Sequence, residues 1–240
     1  MHSRRITSAI LALASVAVIA GCSDDDDDPI GTGNDNTTVR FFNATSGGLN
    51  LDIAENGTVG TGNSNIAFGQ TSSCTRVNNS NPQLVVRTAN STTSLSGFSP
   101  AFAANGTYTV LVTGTQASPL FTTFNDQFTT PTTGNAAVRI INATSNATAG
   151  AGNWDIYVNP GAQLGTPADA GVGRTTASDF LTVPAGQANT IRLTNQGQTT
   201  PAVLNISVPS LASGTTTTIV VTDAATGTTT LRTTTLTPCT

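Results

Sequence analysis

The sequence predicts an all-β protein made of two tandem β-sandwiches, and three observations support this fold class. Thr and Val, which favour strands, are abundant, while Gly, Asn and Pro separate the short apolar runs as turn residues do. After residue 30, no apolar stretch keeps a helical period for more than about two turns. A set of strand-like motifs also occurs twice in the same order. The chain is therefore expected to hold two similar domains.

The first 21 residues have the form of a lipoprotein signal peptide. Arg4 and Arg5 provide a positive start, and the apolar stretch that follows is too short to span a bilayer. This stretch ends in Val18-Ile19-Ala20-Gly21-Cys22, which resembles the lipobox of bacterial lipoproteins. We expect cleavage before Cys22 and lipidation of its thiol, so that the mature protein is anchored to a membrane without spanning it.

Residues 22–37 are predicted to be the lipidated Cys22 and an acidic, flexible tether. Asp24–Asp28 is a block of like charges, which repels itself and stays solvated. The spacing of a calcium-binding EF-hand loop is missing. Two interpretations remain open: a plain spacer, and a spacer that also carries a sorting signal. We expect the protein in the cell envelope, at the periplasmic face of the outer membrane or on the cell surface.

The composition excludes several chemistries. The chain has no Lys, and His2 is its only His. Catalytic Ser-His-Asp, Cys-His and Ser-Lys sites and His-containing metal sites therefore have no residues to form them. No basic stripe for nucleic acid is present. We expect no enzyme activity, cofactor or metal, although a glycosidase with two carboxylates remains a third possibility. Its candidates are scattered: Asp52, Asp126, Asp155, Asp169, Asp179 and Asp223.

The duplication divides the chain into a first β-sandwich repeat at 38–128, a linker at 129–135 and a second repeat at 136–240. Four motifs carry the duplication. Val39–Ser46 recurs as Val138–Ser145, and the predicted strand that contains Asp52 recurs as the one that contains Asp155. Further along, Leu84–Arg87 corresponds to Thr190–Leu193, and Gly106–Thr113 corresponds to Gly214–Thr222. Val39 and Val138 are therefore expected in equivalent strands.

These motifs resemble those of the bacterial domain-of-unknown-function family 4397. The resemblance rests on Val-Arg-x-x-Asn-Ala-Thr at 39–45 and 138–144, Asp-Ile-Tyr-Val-Asn at 155–159, and Gly-Thr-Tyr-Thr-Val at 106–110. The family occurs in secreted and lipid-anchored proteins, often in tandem. Membership implies immunoglobulin-like sandwiches and brings no catalytic residues. The sequence departs from the pattern at Asp52–Glu55, which lacks the usual aromatic residue, and at Thr217, which replaces the equivalent of Tyr108.

Two charge pairs are predicted from the repeat. Arg40 is expected near Asp52, and Arg139 near Asp155, because the same charges recur at the same place in both units and opposite charges on neighbouring strands help to set their pairing. The alternative, two exposed charges without contact, remains open.

Cys74 and Cys239 are predicted to form a disulfide. Once Cys22 is lipidated they are the two remaining thiols, and an exported protein folds in an oxidising compartment. Two free cysteines remain the alternative.

Trp154 and Tyr157 are considered as a ligand platform on one face of a strand, since two aromatic rings on one face can stack on a sugar. Core positions are the competing interpretation. Overall we expect a non-enzymatic envelope lipoprotein with a structural, adhesion or interaction role, which contacts the membrane through its anchor and an envelope protein or glycan. The alternative is a carbohydrate- or ligand-binding module.

Overall fold

The computed structural model describes residues 37–77, 82–145, 152–223 and 230–239. These residues form strands, turns and loops without a helix. The all-β prediction is therefore confirmed. No helix long and apolar enough to cross a bilayer occurs among them.

The first sandwich consists of two four-stranded sheets. One sheet has the order β4-β1-β7-β8 and the other has the order β3-β2-β5-β6. The first strand pairs in parallel with β7 and antiparallel with β4. The strands are β1 Thr37–Asn43, β2 Leu51–Glu55, β3 Thr58–Val59, β4 Thr75–Val77, β5 Leu84–Thr88, β6 Ser94–Phe98, β7 Thr107–Thr115 and β8 Ser118–Asn125.

The second sandwich repeats this arrangement. Its sheets have the orders β12-β9-β16-β17, with β13 also paired to β9, and β11-β10-β14-β15. The strands are β9 Asn135–Asn142, β10 Trp154–Val158, β11 Asp169–Val172, β12 Thr176–Ala177, β13 Leu181–Pro184, β14 Asn189–Asn195, β15 Ala202–Val208, β16 Thr216–Thr222 and β17 Arg232–Leu236.

Strand pairing confirms that Val39 and Val138 occupy equivalent positions. Val39 on β1 lies opposite Tyr108 on β7 in a parallel pair, and Val138 on β9 lies opposite Thr217 on β16 in the same way. The predicted correspondence of Leu84–Arg87 with Thr190–Leu193 is wrong by one residue. Since Ile53 pairs with Val86 and Ile156 pairs with Leu193, Val86 corresponds to Leu193. A shift of one residue would have turned apolar side chains away from the core.

Both faces of β1 and β9 are buried, and this explains the repeated Val-Arg-x-x-Asn-Ala motif. Alternate side chains of a strand point to opposite faces. Val39 and Phe41 lie in the core of the first sandwich, and Val138 and Ile140 lie in that of the second. The intervening side chains point the other way, toward the opposite sandwich.

A third apolar core therefore joins the sandwiches. We call the sheets that contain β1 and β9 the inner sheets, because they pack against each other. Full burial of one large apolar side chain contributes about 1.5–3 kcal/mol, so this core resists separation of the sandwiches. Its buried members are Phe42, Ala44, Leu111, Ile141, Ala143, Val220 and Leu236.

Candidate functional site

The Asn of each repeated motif is a buried structural residue. The Asn43 side chain donates hydrogen bonds to the carbonyls of Leu49 (2.7 Å) and Ile66 (2.9 Å), and its Oδ1 accepts from the amide (3.1 Å) and hydroxyl (2.7 Å) of Thr45. The Asn142 side chain makes the corresponding four bonds in the second sandwich. Both Asn-Ala-Thr sequences thus join the end of a strand to nearby loops through saturated, buried amides.

The predicted pairs Arg40–Asp52 and Arg139–Asp155 are wrong. Asp52 lies on β2, outside the inner sheet, and accepts hydrogen bonds from the backbone amides of Asn65 (2.7 Å) and Asn90 (2.9 Å). Both amides belong to residues with positive φ.

Asp155 has the same role in the second sandwich. It accepts from the amides of Gly171 (3.0 Å) and Gly197 (2.7 Å), which also have positive φ. A carboxylate is well suited to hold such turns, because charged acceptors strengthen hydrogen bonds to backbone N–H groups. The repeated aspartates therefore fix loop geometry and do not pair with arginine.

The two arginines instead meet between the inner sheets, where they share one carboxylate. Asp126 Oδ2 accepts from Arg40 Nη2 at 3.2 Å, and Asp126 Oδ1 accepts from Arg139 Nη2. Arg40 and Arg139 are 3% and 4% exposed. We call these three residues the arginine–aspartate triad. It holds two positive charges and one negative charge away from bulk water.

Further contacts hold the guanidinium groups in place. Arg40 Nε donates to Thr109 Oγ1 (2.8 Å), and Arg139 Nη2 donates to Thr218 Oγ1 (3.1 Å). The Arg139 guanidinium carbon lies 4.8 Å from the centroid of the Phe180 ring, a cation–π distance. Burial lowers the pKa of Arg40, the Asp126 carboxylate opposes this effect, and the charge of Arg139 adds to it.

The contacts of Arg40 and Arg139 are equivalent in the two sandwiches, except at the residue that supplies the carboxylate. Arg40 Nη1 donates to the carbonyl of Thr237, and Arg139 Nη1 donates to the carbonyl of Asn125 at 2.8 Å. Strand pairing shows that these two carbonyls are equivalent. Phe124 on β8 lies opposite Thr109 on β7, and Leu236 on β17 lies opposite Thr218 on β16. The next residues are therefore equivalent too.

The residues at that next position differ. Asp126 stands in the first sandwich and Pro238 in the second. The repeat thus supplies two arginines and one carboxylate.

A cleft opens at this place between the two sandwiches, with a volume of about 390 Å³. Arg40 and Asp126 line it, together with the hydroxyl-bearing Thr216–Thr218. Its apolar wall is formed by Phe128, Phe180, Leu236 and Pro238. The cleft therefore combines a buried charge with an apolar lining, as ligand sites commonly do.

A family model described as Domain of unknown function (DUF4397) matches residues 37–149. These residues belong to the DUF4397 family. The match covers the first sandwich and β9, and it confirms the resemblance seen in the repeated motifs. No curated protein matched the chain.

The disulfide predicted from the sequence is present. Cys74 and Cys239 are bonded, with their Cα atoms 5.8 Å apart and a sequence separation of 165. The bond ties the loop before β4 in the first sandwich to the segment after β17 in the second. Cys239 also lines the cleft, so the disulfide holds one of its walls.

The aromatic pair considered as a ligand platform is not exposed. Trp154 and Tyr157 are three residues apart on β10, so they point to opposite faces of the sheet, contrary to our expectation of a shared face. Trp154 is fully buried in the core of the second sandwich, and Tyr157 is 6% exposed. Neither ring offers a stacking surface.

The remaining sequence-based site predictions fall in two groups. The signal peptide, Cys22 and Asp24–Asp28 lie outside the described residues. Within the described ranges, no group of three or more His, Cys, Asp or Glu side chains is placed to hold a metal ion. The cleft is not predicted from the sequence. The signal for it in the sequence is Arg40 and Arg139, each in the middle of an apolar strand, and the structure shows that both faces of these strands are buried.

Proposed function

We propose that the protein is a non-enzymatic, lipid-anchored module of the cell envelope with a structural, adhesion or interaction role. The observation that carries the proposal is the joining of the two sandwiches through buried contacts: an apolar core, the arginine–aspartate triad and a disulfide. A double domain held in this way presents its surfaces in a fixed relation to each other. That property suits a structural or interaction module.

The sequence before the first sandwich supports the anchoring part. Residues 23–36 separate the lipobox-like Val18–Cys22 from β1. An anchor at the outer membrane, facing the periplasm or the cell surface, is the location we propose.

The described carboxylates support a non-enzymatic role, because the buried ones have structural partners. Asp52 and Asp155 hold turns, and Asp126 is shared by two arginines. Asp169 accepts a hydrogen bond from the backbone amide of Asp179. A glycosidase needs two carboxyl groups facing each other across a substrate, and these contacts assign the buried carboxylates to other tasks.

The anchor is tested by Cys22→Ser in the full-length chain, with Ser23→Ala as the matched control. We expect the unsubstituted protein and Ser23→Ala to carry diacylglycerol by mass spectrometry and to sediment with the outer membrane. Cys22→Ser should lack the lipid and leave the membrane fraction. Protease treatment of intact cells then separates the surface from the periplasmic face. An unmodified Cys22, or a Cys22→Ser chain that still sediments with membranes, would refute the anchor.

The second candidate function, a ligand-binding module, is favoured by the cleft between the sandwiches. This candidate function now rests on the cleft and no longer on Trp154 and Tyr157, which are buried.

A further inference from the structure

The charge of the arginine–aspartate triad, which borders the cleft, is unbalanced. The triad contains two guanidinium groups and one carboxylate, and all three side chains are at most 9% exposed. Burying an ion away from water is costly unless an opposite charge accompanies it. Asp126 can offset one of the two positive charges. An anionic group beside Arg40 would offset the other.

Arg40 has donors available for such a group. It makes three hydrogen bonds, to Thr109, Thr237 and Asp126. A guanidinium has five N–H groups, so one N–H on each terminal nitrogen is not used by these bonds. Arginine commonly binds a carboxylate through two N–H···O contacts, so these two N–H groups are enough donors for one carboxylate.

The internal repeat indicates where this group belongs. The equivalent of Asp126 in the second sandwich is Pro238, which has no carboxylate and lines the cleft. The place at which the repeat would put a second carboxylate is therefore next to open space. Around it, Phe128, Phe180 and Leu236 form an apolar wall.

We propose that the cleft binds a small organic carboxylate, whose charged group contacts Arg40 and whose apolar part lies against Phe128 and Phe180. Its volume of about 390 Å³ lies within the usual range of about 300–1,000 Å³ for small-molecule sites. A free acid and the C-terminus of a short peptide both present this carboxylate, and the experiment below distinguishes them. The proposal does not depend on the lipid anchor.

Calorimetric titration of the full-length protein, purified in detergent, tests the charge requirement. The probes are phenylacetate and its neutral analogue phenylacetamide, with N-acetyl-Gly-Phe and its C-terminal amide for the peptide source. We expect each acid that binds to do so at least tenfold more tightly than its amide. Binding by phenylacetate alone indicates a free acid, and binding by the peptide acid adds peptide C-termini. Equal binding of acids and amides, or no binding, would overturn the proposal.

Two variants test the place of binding. Pro238→Asp supplies the second carboxylate from the chain itself, so phenylacetate affinity should fall at least tenfold, while Pro238→Ala should change it less than threefold. Phe128→Ala should weaken binding several-fold. Its control is Leu120→Ala, which removes an apolar side chain that is 60% exposed and does not line the cleft. Unchanged affinity in both Pro238→Asp and Phe128→Ala would place any binding elsewhere and refute the site.

A failed titration is distinguishable from a failed anchor. Lipidation and sedimentation depend on Cys22, whereas the titration depends on the cleft. Circular dichroism and the presence of the Cys74–Cys239 disulfide confirm that each variant is folded before it is titrated.

Discussion

Replacing Asp126 with Asn should destabilise the protein strongly. Asn keeps the size of the side chain and removes the only carboxylate that the described contacts give to Arg40 and Arg139. Two guanidinium groups would then remain buried together without an opposite charge. Loss of one partner from a buried ion pair costs about 3–5 kcal/mol. Because both arginine side chains are only 4% exposed, solvent screening should reduce this cost little.

The free energy of unfolding, measured by urea denaturation with the disulfide intact, provides the assay. For a folded body of roughly 200 residues, the same loss corresponds to a fall in Tm of about 6–20 °C. Asp179→Asn is the control, because Asp179 is an exposed carboxylate on the second sandwich, and such a change should stay within about 0.5 kcal/mol. A loss below about 1 kcal/mol in Asp126→Asn would show that the triad does not join the sandwiches.

Replacing the whole triad with apolar residues tests two effects on the free energy of unfolding. It separates the loss caused by an unpaired buried charge from the net contribution of the complete triad. The variant Arg40→Met/Asp126→Leu/Arg139→Met removes all three charges together. Since desolvation can exceed the attraction within buried ion pairs, it should be far more stable than Asp126→Asn, and close to or above the unsubstituted protein. Equal destabilisation of the two variants would indicate that shape rather than charge holds this region.

Three further changes test other parts of the structure. Asn142→Ala should lower the free energy of unfolding by about 2–4 kcal/mol, since it removes one buried amide and leaves several of its partners unsatisfied; thermal melting should detect this, and an unchanged Tm would contradict the assigned contacts. Asp155→Asn should cost about 1–3 kcal/mol and expose the turns it holds to faster amide hydrogen exchange, whereas uniform exchange across the second sandwich would contradict a local role. The pair Cys74→Ser/Cys239→Ser should lose at most about 5 kcal/mol by loop-closure entropy, read from urea denaturation, and a gain in stability would refute the expected effect.

The sequence allowed the all-β class, the two repeats, the equivalence of Val39 with Val138, and the disulfide to be predicted. Each depends on information that is local or can be counted. Alternating apolar residues and turn residues indicate strands, and repeated motifs indicate equivalent strands. Two thiols besides that of Cys22, in a chain expected to be exported, indicate a bond. These predictions do not depend on which surfaces of the two sandwiches pack together.

The arginine contacts could not be predicted in that way. Arg40 and Asp52 are close in sequence and recur together, so a pairing rule for neighbouring strands joins them. In the structure β1 and β2 belong to different sheets, and Arg40 lies on the face of β1 that packs against the other sandwich. The true partner, Asp126, follows β8 by one residue, and its counterpart in the second repeat is not acidic. The contact of the arginines with Asp126 therefore has no recurring charge pair in the sequence that would indicate it.

The difference between Asp126 and Pro238 explains why the proposed carboxylate site occurs once and not twice. Two identical repeats that packed around their arginines would supply two carboxylates, balance the charge and leave little to attract a ligand. With Pro238 in place of a second aspartate, the triad keeps one positive charge in excess, and Pro238 itself lines the cleft. An unbalanced buried charge lowers stability, and proteins commonly carry such a cost where a site must stay open for function. The packed inner sheets and the disulfide offset this cost, so the rigid junction and the proposed site both depend on the packing of β1 against β9.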